Sequence, residues 1–552
     1  MKRSGLPGGR RWEAGGVETV RMEAEQMRRK GWKRLWLSAF LVVLSVLGLA
    51  AAPALAEKAE LYPAKQVVLD VLSQPEVMDK YSKISDAIWS YAELGLQEYK
   101  SSALLADTLE AAGFQVERGL AGMPTCFVAT YGSGKPVIGL LGEFDALAML
   151  SQKAGVAFQD PLVPGAPGHG CTHNTMCTAA AAAAIALKEA MDQFGIPGTI
   201  KVFGSPAEET VISRPYMVRA GLFEGVDAVI DNHGGGDFST GYGISGNGLF
   251  SFTVTFHGRT AHSGGNPWNG RSALDAVELM NAGVNMLREH LYFSSRIHYV
   301  ITEGGEAPNV VPDRATVWYY VRNSDDKLEP DFQKVLNCAK GAALATGCTY
   351  DVRVYTAIHQ RYNNKAAAEL YQKNIELVGM PEWSEEDVAF AKALQKELGV
   401  KVTGLKTEVE KLTPPPSVFT GGGSSDVGEV TLIAPCATIR FPATVPGVDS
   451  HHWGNVAAGA TPIAHKGLIA GAKAIAASAL DLLTKPEELA KLRAEFEEQQ
   501  KKYPYRSYLP EGAEPPLDMY DQLMKKYLPL LEEFSYDPES SEPLMQEYTL
   551  AK

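Results

Sequence analysis

From Glu57 to about Ser245, stretches with helical spacing of apolar residues alternate with short apolar runs. Helical spacing of apolar residues predicts amphipathic helices, and short apolar runs between them predict buried strands. The predicted helices cover residues 78–94, 101–112 and 178–190, and the predicted strands cover residues 126–130, 137–141, 199–203 and 227–231. The helix at 178–190 is dense in alanine, which would let it lie close on a sheet. Strands that alternate with helices indicate an α/β sheet covered on both faces.

The pattern changes after Gly246, where strands and helices form a shorter α+β series. Strands are predicted at residues 249–256, 296–302, 315–322 and 350–355, and helices at 272–290 and 328–346. The α/β pattern then returns, with helices at 385–398 and 464–483 and a strand at 434–440. The small α+β unit is therefore predicted to be inserted into the larger domain. We therefore expect an N-terminal region at 1–56, a catalytic domain made of 57–245 and 363–484, an inserted domain at 246–362, and a tail at 485–552. The tail could pack on the surface of the protein or bind a partner.

The first 56 residues have the pattern of a secretory signal. A basic run begins at Met27, an apolar stretch without charge covers residues 35–52, and Ala54-Leu55-Ala56 offers a small-x-small cleavage site. We expect translation to start at Met22 or Met27, cleavage after Ala56, and a periplasmic or secreted product without stable membrane association. An uncleaved membrane anchor is the alternative, because the apolar stretch is near the lower length of a spanning helix.

Composition excludes several classes of protein. Hydrophobic residues make up 45% and charged residues 21% of the chain, which is a normal globular balance. The formal net charge of -13 argues against nucleic acid or an anionic membrane as the main partner. Six cysteines are too few for a disulfide scaffold of this length, although Cys338 and Cys348 could form one bridge.

Two short motifs offer metal ligands and a proton carrier. Cys171 and His173 stand two residues apart in a glycine-rich loop before the alanine-rich helix, and thiolate and imidazole both bind zinc-like cations. Glu208 and Glu209 follow the strand at 199–203, so one carboxylate could bind a metal while the other moves a proton. Alone, these motifs could equally be a buried cysteine near a helix cap and two solvated acids at a helix start.

Two further histidine positions complete a ligand set. His233 follows an apolar strand and precedes three glycines, where an α/β sheet places ligand-binding groups. His451 or the adjacent His452 could supply a last ligand. A pair of hydrolytic cations needs side chains from several separate loops. The predicted ligands are Cys171, His173, Glu209, His233 and His451.

These residues stand within motifs that resemble a known family. The motifs are Gly142-Glu143-Phe144-Asp145-Ala146-Leu147, Gly170-Cys171-Thr172-His173-Asn174, Pro206-Ala207-Glu208-Glu209, His233, His257-Gly258-Arg259-Thr260-Ala261-His262, Gly270-Arg271-Ser272-Ala273-Leu274-Asp275-Ala276 and Pro308-Asn309-Val310-Val311-Pro312-Asp313. Together, and over residues 83–483, they resemble the metallopeptidase family of zinc aminoacylases, hippurate hydrolases and glutamate-type carboxypeptidases.

The resemblance implies a fold and a role for each candidate residue. The fold is a phosphorylase/hydrolase-like α/β/α catalytic domain with a mostly parallel sheet, plus an inserted ferredoxin-like α+β lid and dimerisation domain. Glu208 would be the general base and acid beside two divalent ions, zinc or manganese, in each subunit. His262 would reach the active site across a dimer and steady the tetrahedral intermediate, while Asn309 and Arg322 are weaker candidates for grasping the substrate carboxylate.

The expected function is metal-dependent hydrolysis of the amide bond in N-acyl amino acids such as aminobenzoyl-glutamate. The expected partners are that small-molecule substrate, or a peptide, and a second copy of the chain or a related subunit, without nucleic acid. One alternative is an exported dipeptidase or aminoacylase that acts on short peptides. An alternative of another class is a binding protein that keeps the fold and has lost turnover, against which the complete ligand set argues.

Overall fold

A mixed sheet of seven strands forms the centre of the catalytic domain. This computed structural model describes residues 62–417 and 419–551, so the predicted signal at 1–56 lies outside the described residues. The strands are β1 Gln115–Arg118, β2 Phe127–Ser133, β3 Val137–Glu143, β4 Gly198–Ser205, β5 Ala228–Gly235, β6 Ser239–Thr240 and β13 Cys436–Pro442. Their order in the sheet is β1-β2-β4-β3-β5-β13-β6. The inner strands β4, β3, β5 and β13 pair in parallel, whereas β1, β2 and β6 join antiparallel.

The α/β class is confirmed, with one refinement: the sheet is parallel at its centre and antiparallel towards its edges. β1 and β2 are connected by only the short segment 119–126, and a connection of that length permits antiparallel pairing alone. The parallel strands need crossovers, which the helices of this domain provide.

Helices cover both faces of this sheet. They are α1 Pro63–Val71, α2 Pro75–Tyr91, α3 Tyr99–Ala111, α4 His173–Phe194, α5 Ser213–Arg219, α8 Lys365–Val378, α9 Glu385–Glu397, α10 Val427–Thr431, α11 Trp453–Ala458, α12 Pro462–Thr484 and α13 Pro486–Lys502. The largest core contains α4 and α12 with the inward side chains of β3 and β4, and a smaller core lies on the other face under α5 and α10. The helix α12 is long and apolar enough to cross a membrane, but 89% of its most apolar stretch is buried in this core.

Small residues bring α4 close to the sheet. The alanines from Ala179 to Ala184 are fully buried in the main core. A Cβ added at Gly142 on β3 would lie 2.5 Å from the Cys177 Sγ on α4, so only glycine allows this approach. The alanine-rich pattern therefore fixes how closely the helix that begins with His173 lies against the strand that ends at Glu143.

Residues 248–358 form the second unit, which we call the lid domain. Its elements are β8 Gly248–His257, α6 Ala273–Leu287, β9 Arg296–Glu303, β10 Arg314–Asn323, α7 Asp325–Thr346 and β11 Thr349–Ile358. The strand order β11-β8-β10-β9, all antiparallel, with α6 and α7 on one face, is the ferredoxin-like arrangement that the sequence predicts. A small two-stranded sheet of β7 Gly243–Ser245 and β12 Arg361–Asn363 lies where the chain enters and leaves this domain. All six cysteines are free, so Cys338 and Cys348 are not bridged.

The chain after α13 lies along the surface of both domains. It contains the helix α14 Asp521–Leu531 and ends with a bridge between Thr549 and Val156 of the catalytic domain. Tyr508 stacks on His359 at a ring-centroid distance of 4.0 Å, and Leu509 is buried in the core under α5. Of the two alternatives for this tail, the structure therefore shows packing against the protein's own surface.

Candidate active site

The carboxyl ends of the parallel strands converge on one edge of the sheet, as expected for an α/β fold. Glu208 and Glu209 follow β4, and the loop after β13 leads to His451. His233 lies within the last residues of β5, and His173 is the first residue of α4. The sequence analysis places these two histidines in loops. In the structure, β5 and α4 extend beyond the apolar runs that predict them, because backbone hydrogen bonds continue past the buried side chains.

The five predicted ligands meet at this edge. The ligand atoms of Cys171, His173 and His233 all lie within 4.8 Å of one another, and so do those of Cys171, Glu209 and His451. The Cys171 Sγ is 3.5 Å from the His233 Nε2, and the His451 Nε2 is 3.1 Å from a Glu209 oxygen. Cys171 belongs to both groups, so its thiolate is the donor that the two groups share.

Backbone geometry directs these side chains inward. Thr172 and His451 adopt left-handed conformations, with φ of 64° and 60°, which non-glycine residues seldom occupy. The two loops are also joined, because the His451 amide donates to the Gly170 carbonyl at 3.2 Å. The strained backbone and this link hold Cys171 and His451 on the same side of the site.

Hydrogen-bond acceptors behind the ligands fix the imidazoles. The His173 Nδ1 donates to an Asp145 oxygen at 2.9 Å, and the His233 Nδ1 donates to the Gly234 carbonyl at 2.5 Å. Both rings therefore turn an Nε2 lone pair towards Cys171. The other Asp145 oxygen accepts the Glu209 amide at 2.9 Å, so one carboxylate positions two ligands.

The residues present fit a pair of divalent cations. The His173 Nε2 and Glu143 Oε2 are buried and have no hydrogen-bond partner within the described part of the chain, although they lie 3.4 Å apart. Buried polar atoms are normally satisfied, so an orphaned imidazole nitrogen inside a donor cluster indicates a ligand that is not protein. Thiolate, imidazole and carboxylate together match zinc or a similar transition ion.

The charges of the cluster show the same preference for a cation. Burial raises the pKa of Cys171, but the imidazoles of His233, His173 and His451 outweigh it, so its pKa lies well below the usual value. Hydrogen bonds to Cys171 and Glu209 raise the pKa of His451 to about 10. Positive charge on the imidazoles thus faces an ionised thiolate. A bound cation would supply that positive charge instead.

Glu208 lies beside the ligands, 8% exposed. One of its oxygens is 3.8 Å from the His173 Nε2. Burial, and then the negative charge of Glu143, raises the pKa of Glu208 well above its ordinary value. A carboxyl group whose pKa is moved towards neutrality is suited to accept and return a proton.

A buried ion network supports this carboxylate. The Arg214 guanidinium lies 2.8 Å from a Glu143 oxygen and also pairs with Asp426, and all three side chains are buried. Asp426 accepts the Arg214 amide at 3.0 Å as well, which fixes the start of α5. Sequence reasoning assigned no role to these residues, and Arg214 and Asp426 carry no local signal because 212 positions separate them.

Glu98 holds the loop that carries Glu208. Its carboxylate accepts the Ala207 amide at 2.8 Å and the Thr125 hydroxyl at 2.9 Å, in a fully buried position. Ala207 has φ of 54°, so this hydrogen bond stabilises a strained residue directly before Glu208. Glu98, Glu143 and Asp145 were not singled out as site residues, although Glu143 and Asp145 stand at the end of a predicted strand, where such residues are found.

The structure separates the two adjacent histidines. His452 is the N-cap of α11, and its Nδ1 accepts the Gly454 amide at 3.1 Å. His451 instead reaches Glu209. His452 is therefore used as a helix cap, and His451 is available as a ligand.

Two predicted residues lie away from the cluster, on loops of the lid domain. His262 is exposed, and its Nδ1 accepts the amides of Gly264 and Gly265 at 3.1 and 3.2 Å. Asn309 is exposed on the neighbouring loop, where its carbonyl accepts the Ser263 amide at 3.0 Å. These contacts leave the His262 Nε2 as the protonated nitrogen, aimed away from its own loop.

Arg322 is on β10, on the face of the lid sheet opposite α6 and α7. Its Nε is buried and has no hydrogen-bond partner among the residues that the structure describes, and its guanidinium lies 5.2 Å from the ring of Tyr320. Burial lowers the pKa of Arg322, while the charges of Tyr320 and Glu208 oppose that shift. Tyr320, on the same face of β10, packs against the cluster that contains Val211, and Val211 follows Glu208 by three residues.

Comparison with known proteins gives consistent matches over most of the chain. Residues 244–340 match the model of the peptidase dimerisation domain of the M20 family. The chain is 36% identical over 466 residues to one of the subunits of the p-aminobenzoyl-glutamate hydrolase of Escherichia coli (strain K12), covering 79% of this chain and 96% of that protein. It is 29% identical over 438 residues to the Xaa-Arg dipeptidase of Mus musculus, covering 76% and 90%.

Among solved structures, a protein of methicillin resistant Staphylococcus aureus assigned as an aminohydrolase aligns with a TM-score of 0.54 at 21% identity. The alignment covers 76% of this chain and 100% of that protein, which supports the fold.

Proposed function

This chain belongs to the M20 peptidase family, and from that premise we propose that it is a two-metal amidohydrolase of N-acyl amino acids, with aminobenzoyl-glutamate as a substrate. The observation that carries this proposal is the pair of ligand groups that share Cys171, with Glu208 beside them. The cations we propose are zinc or manganese, held by Cys171, His173 and His233 on one side and by Cys171, Glu209 and His451 on the other.

The chain's own residues supply the proton transfers. The cations, when bound, supply Lewis acidity that polarises an amide carbonyl and makes water more acidic. Glu208 takes the proton from the attacking water on a carboxylate oxygen and holds it until the C–N bond breaks. The same oxygen then gives the proton to the departing amine nitrogen, so the products are a carboxylic acid and an amino acid.

The face of the lid domain that carries Arg322 suits a substrate with an aromatic acyl group and a carboxylate. Trp318, Tyr320 and Arg322 alternate along β10 and share the face opposite the lid helices. The unpartnered Arg322 Nε is a donor for a carboxylate, because a guanidinium binds that group through two nitrogens. The rings of Trp318 and Tyr320, 5.7 Å apart, offer apolar area to an aryl group.

We also propose that the active site is completed by a second protomer. Exposed apolar side chains lie on α6 and on the edge strand β9: Leu279, Met286, Val300 and Ile301 are 45%, 74%, 55% and 44% exposed. Such a strip is suited to contact with another copy of this domain or with a related chain. In that dimer the His262 Nε2–H of one protomer would donate to the oxyanion formed in the other.

Export stays a proposal that rests on the sequence pattern of residues 27–56. Mass spectrometry of the protein recovered from a periplasmic extract should give a mature chain that begins at Glu57. A chain retained in the cell with residues 35–52 intact would contradict it.

The proposed function is tested with the metal-loaded protein and its Glu208→Gln variant. We expect the wild-type protein to hydrolyse aminobenzoyl-glutamate, and the variant to keep its metal content while kcat falls by about 10²–10⁴-fold. Hippurate and dipeptides are assayed alongside, since the similarity to a dipeptidase makes peptide hydrolysis the second candidate. Near-normal turnover in Glu208→Gln would refute the role of Glu208. If the protein holds no tightly bound metal and has no activity with added zinc, manganese or cobalt, a binding protein would be favoured.

A further inference from the structure

The C-terminal segment of residues 510–531, which we call the strap, is bound to the catalytic domain by hydrogen bonds. The Gln97 side chain donates to the Leu517 carbonyl at 3.0 Å, and the Tyr216 hydroxyl donates to the Glu514 carbonyl at 3.0 Å. Both contacts are to the catalytic domain. They fix the strap on the side of the sheet where Glu208 and Asp145 lie.

Apolar contacts anchor the chain on both sides of Tyr520. Met519, on one side, packs against the core cluster that contains Ala207. Leu523, on the other, packs against the cluster that contains Ala146 and the buried Tyr527. Tyr520 is therefore held between a cluster that contains Ala207 and one that contains Ala146, the residues that adjoin Glu208 and Asp145.

The strap is also fixed to the lid domain. Two nitrogens of Arg353 on β11 contact the two carboxylate oxygens of Asp518 at 3.2 and 3.0 Å. The Tyr216 hydroxyl that binds the strap also donates to the Tyr355 carbonyl at 2.8 Å. Leu517 and Asp518 therefore contact the catalytic domain and the lid domain respectively, so the strap lies where the two domains face each other.

Tyr520 has a free hydroxyl in this position. Among residues 62–417 and 419–551, no group forms a hydrogen bond with the Tyr520 hydroxyl, although the side chain is half-buried. Burial raises the pKa of Tyr520, and the charges of Tyr320, Asp145 and Glu209 raise it further. Arg353, which binds the strap, pairs with Thr253, and Thr253 pairs with Trp318, so the strap is anchored on the face of the lid sheet that carries Tyr320.

We propose that Tyr520 and Tyr320 form the two walls of a subsite that holds the aromatic acyl group of the substrate, with Tyr520 supplied by the strap. This inference rests on the proposed function and adds to it a specificity-determining residue outside the ligand motifs. An aryl ring between two phenols gains apolar contact and favourable ring geometry that a small aliphatic acyl group cannot. The strap thus selects N-aroyl over N-acetyl amino acids.

The test compares two substrates on the full-length, metal-loaded protein. Steady-state kinetics are measured with aminobenzoyl-glutamate and N-acetyl-glutamate for the wild type, Tyr520→Leu and Tyr520→Phe. Tyr520→Leu should raise KM for the aryl substrate about 10-fold and change KM for the acetyl substrate less than about 2-fold, because only the aryl ring loses a stacking partner. Tyr520→Phe keeps the ring and should keep the wild-type selectivity.

The matched control is Tyr536→Leu, a tyrosine further along the same C-terminal chain whose hydroxyl donates to the Glu542 carbonyl. It should leave both substrates unchanged. The proposal would be overturned if Tyr520→Leu raised KM equally for both substrates. It would also be overturned if Tyr520→Phe raised KM for the aryl substrate as much as Tyr520→Leu. If Tyr520→Leu does not fold, Tyr320→Leu tests the opposite wall and should cause the same selective loss.

Failure of the proposed function gives a different result. A wild type that hydrolyses neither substrate refutes that function, but the subsite is still measured by titrating the protein with aminobenzoyl-glutamate and following aminobenzoyl fluorescence. Binding to the wild type that weakens about 10-fold in Tyr520→Leu would support the subsite without turnover. Equal binding to both proteins would refute it.

Discussion

His173 and Asp145 share a fully buried hydrogen bond of 2.9 Å between Nδ1 and a carboxylate oxygen, and this bond leaves the His173 Nε2 as the free nitrogen of the ring. The same carboxylate binds the amide of Glu209. One residue that contacts no cation in our proposal therefore orients a ligand of each of the two groups.

The Asp145→Ala variant should bind metal about 10–100-fold more weakly, because an unsupported imidazole can rotate and loses basicity. Isothermal titration of the metal-free protein with zinc measures this change. Asp107→Ala, which alters an exposed carboxylate, serves as the control and should bind zinc like the wild type. Unchanged zinc affinity in Asp145→Ala would show that the ring is held by other contacts.

His262→Ala and Glu208→Ala should each be inactive alone and restore activity when their protomers are mixed. A mixed dimer contains one site with both Glu208 and the partner's intact imidazole. Random exchange of equal amounts should therefore give about a quarter of wild-type kcat, since half of the dimers are mixed and each has one working site. Protomers are exchanged at low protein concentration and then assayed. No recovery after proven exchange would mean that His262 does not act across the dimer.

Metal removal should lower the melting temperature as well as abolish activity. Ligands that bind only the folded state stabilise it, and the cluster assembles from loops that are far apart in the unfolded chain. Melting curves before and after a chelator, and after zinc is restored, measure the effect. The Glu208→Gln variant is the control and should show the same shift. A melting temperature that does not respond to chelation would argue against a tightly bound cation.

Arg214→Met should destabilise the protein by about 3–5 kcal/mol, because it leaves two buried carboxylates, Glu143 and Asp426, without their counter-ion. Denaturant unfolding measures the loss. Arg118→Met breaks an exposed pair with Asp107 and should cost only about 0–1 kcal/mol. Equal losses in the two variants would contradict this difference in burial.

His359 should make the stability of the protein depend on pH above neutrality. Burial lowers the pKa of His359, but the Glu429 carboxylate at 2.6 Å outweighs it, so the pKa is raised above the ordinary 6.5. A raised folded-state pKa means that the stabilisation is complete below pH 6.5 and is lost as pH rises through the folded-state value. The melting-temperature gap between wild type and His359→Gln should therefore narrow as pH rises. A gap that stays constant or widens would contradict the ion pair.

The sequence alone determined the fold class and the chemistry of the ligand set. Local periodicity reveals helices and strands because the geometry of each element decides which face every side chain points to. For this reason α4, β3 and the lid strands could be predicted within a few residues. The motifs of Cys171, His173, Glu208 and Glu209 were visible for the same reason, since their spacing and their place after strands are local properties. His233 and His451 completed the ligand set by their own positions in the sequence, and the family resemblance then implied the role of each residue.

Only the tertiary structure decided which of these groups meet and what supports them. His451 and His452 are equivalent in sequence, and they separate only because one ring caps α11 and the other reaches Glu209. Arg214 pairs with Asp426 across 212 residues, and Arg353 of the lid domain pairs with Asp518 of the strap across 165 residues. Contacts between distant segments depend on how the whole chain packs, and no local pattern of polar and apolar residues encodes them.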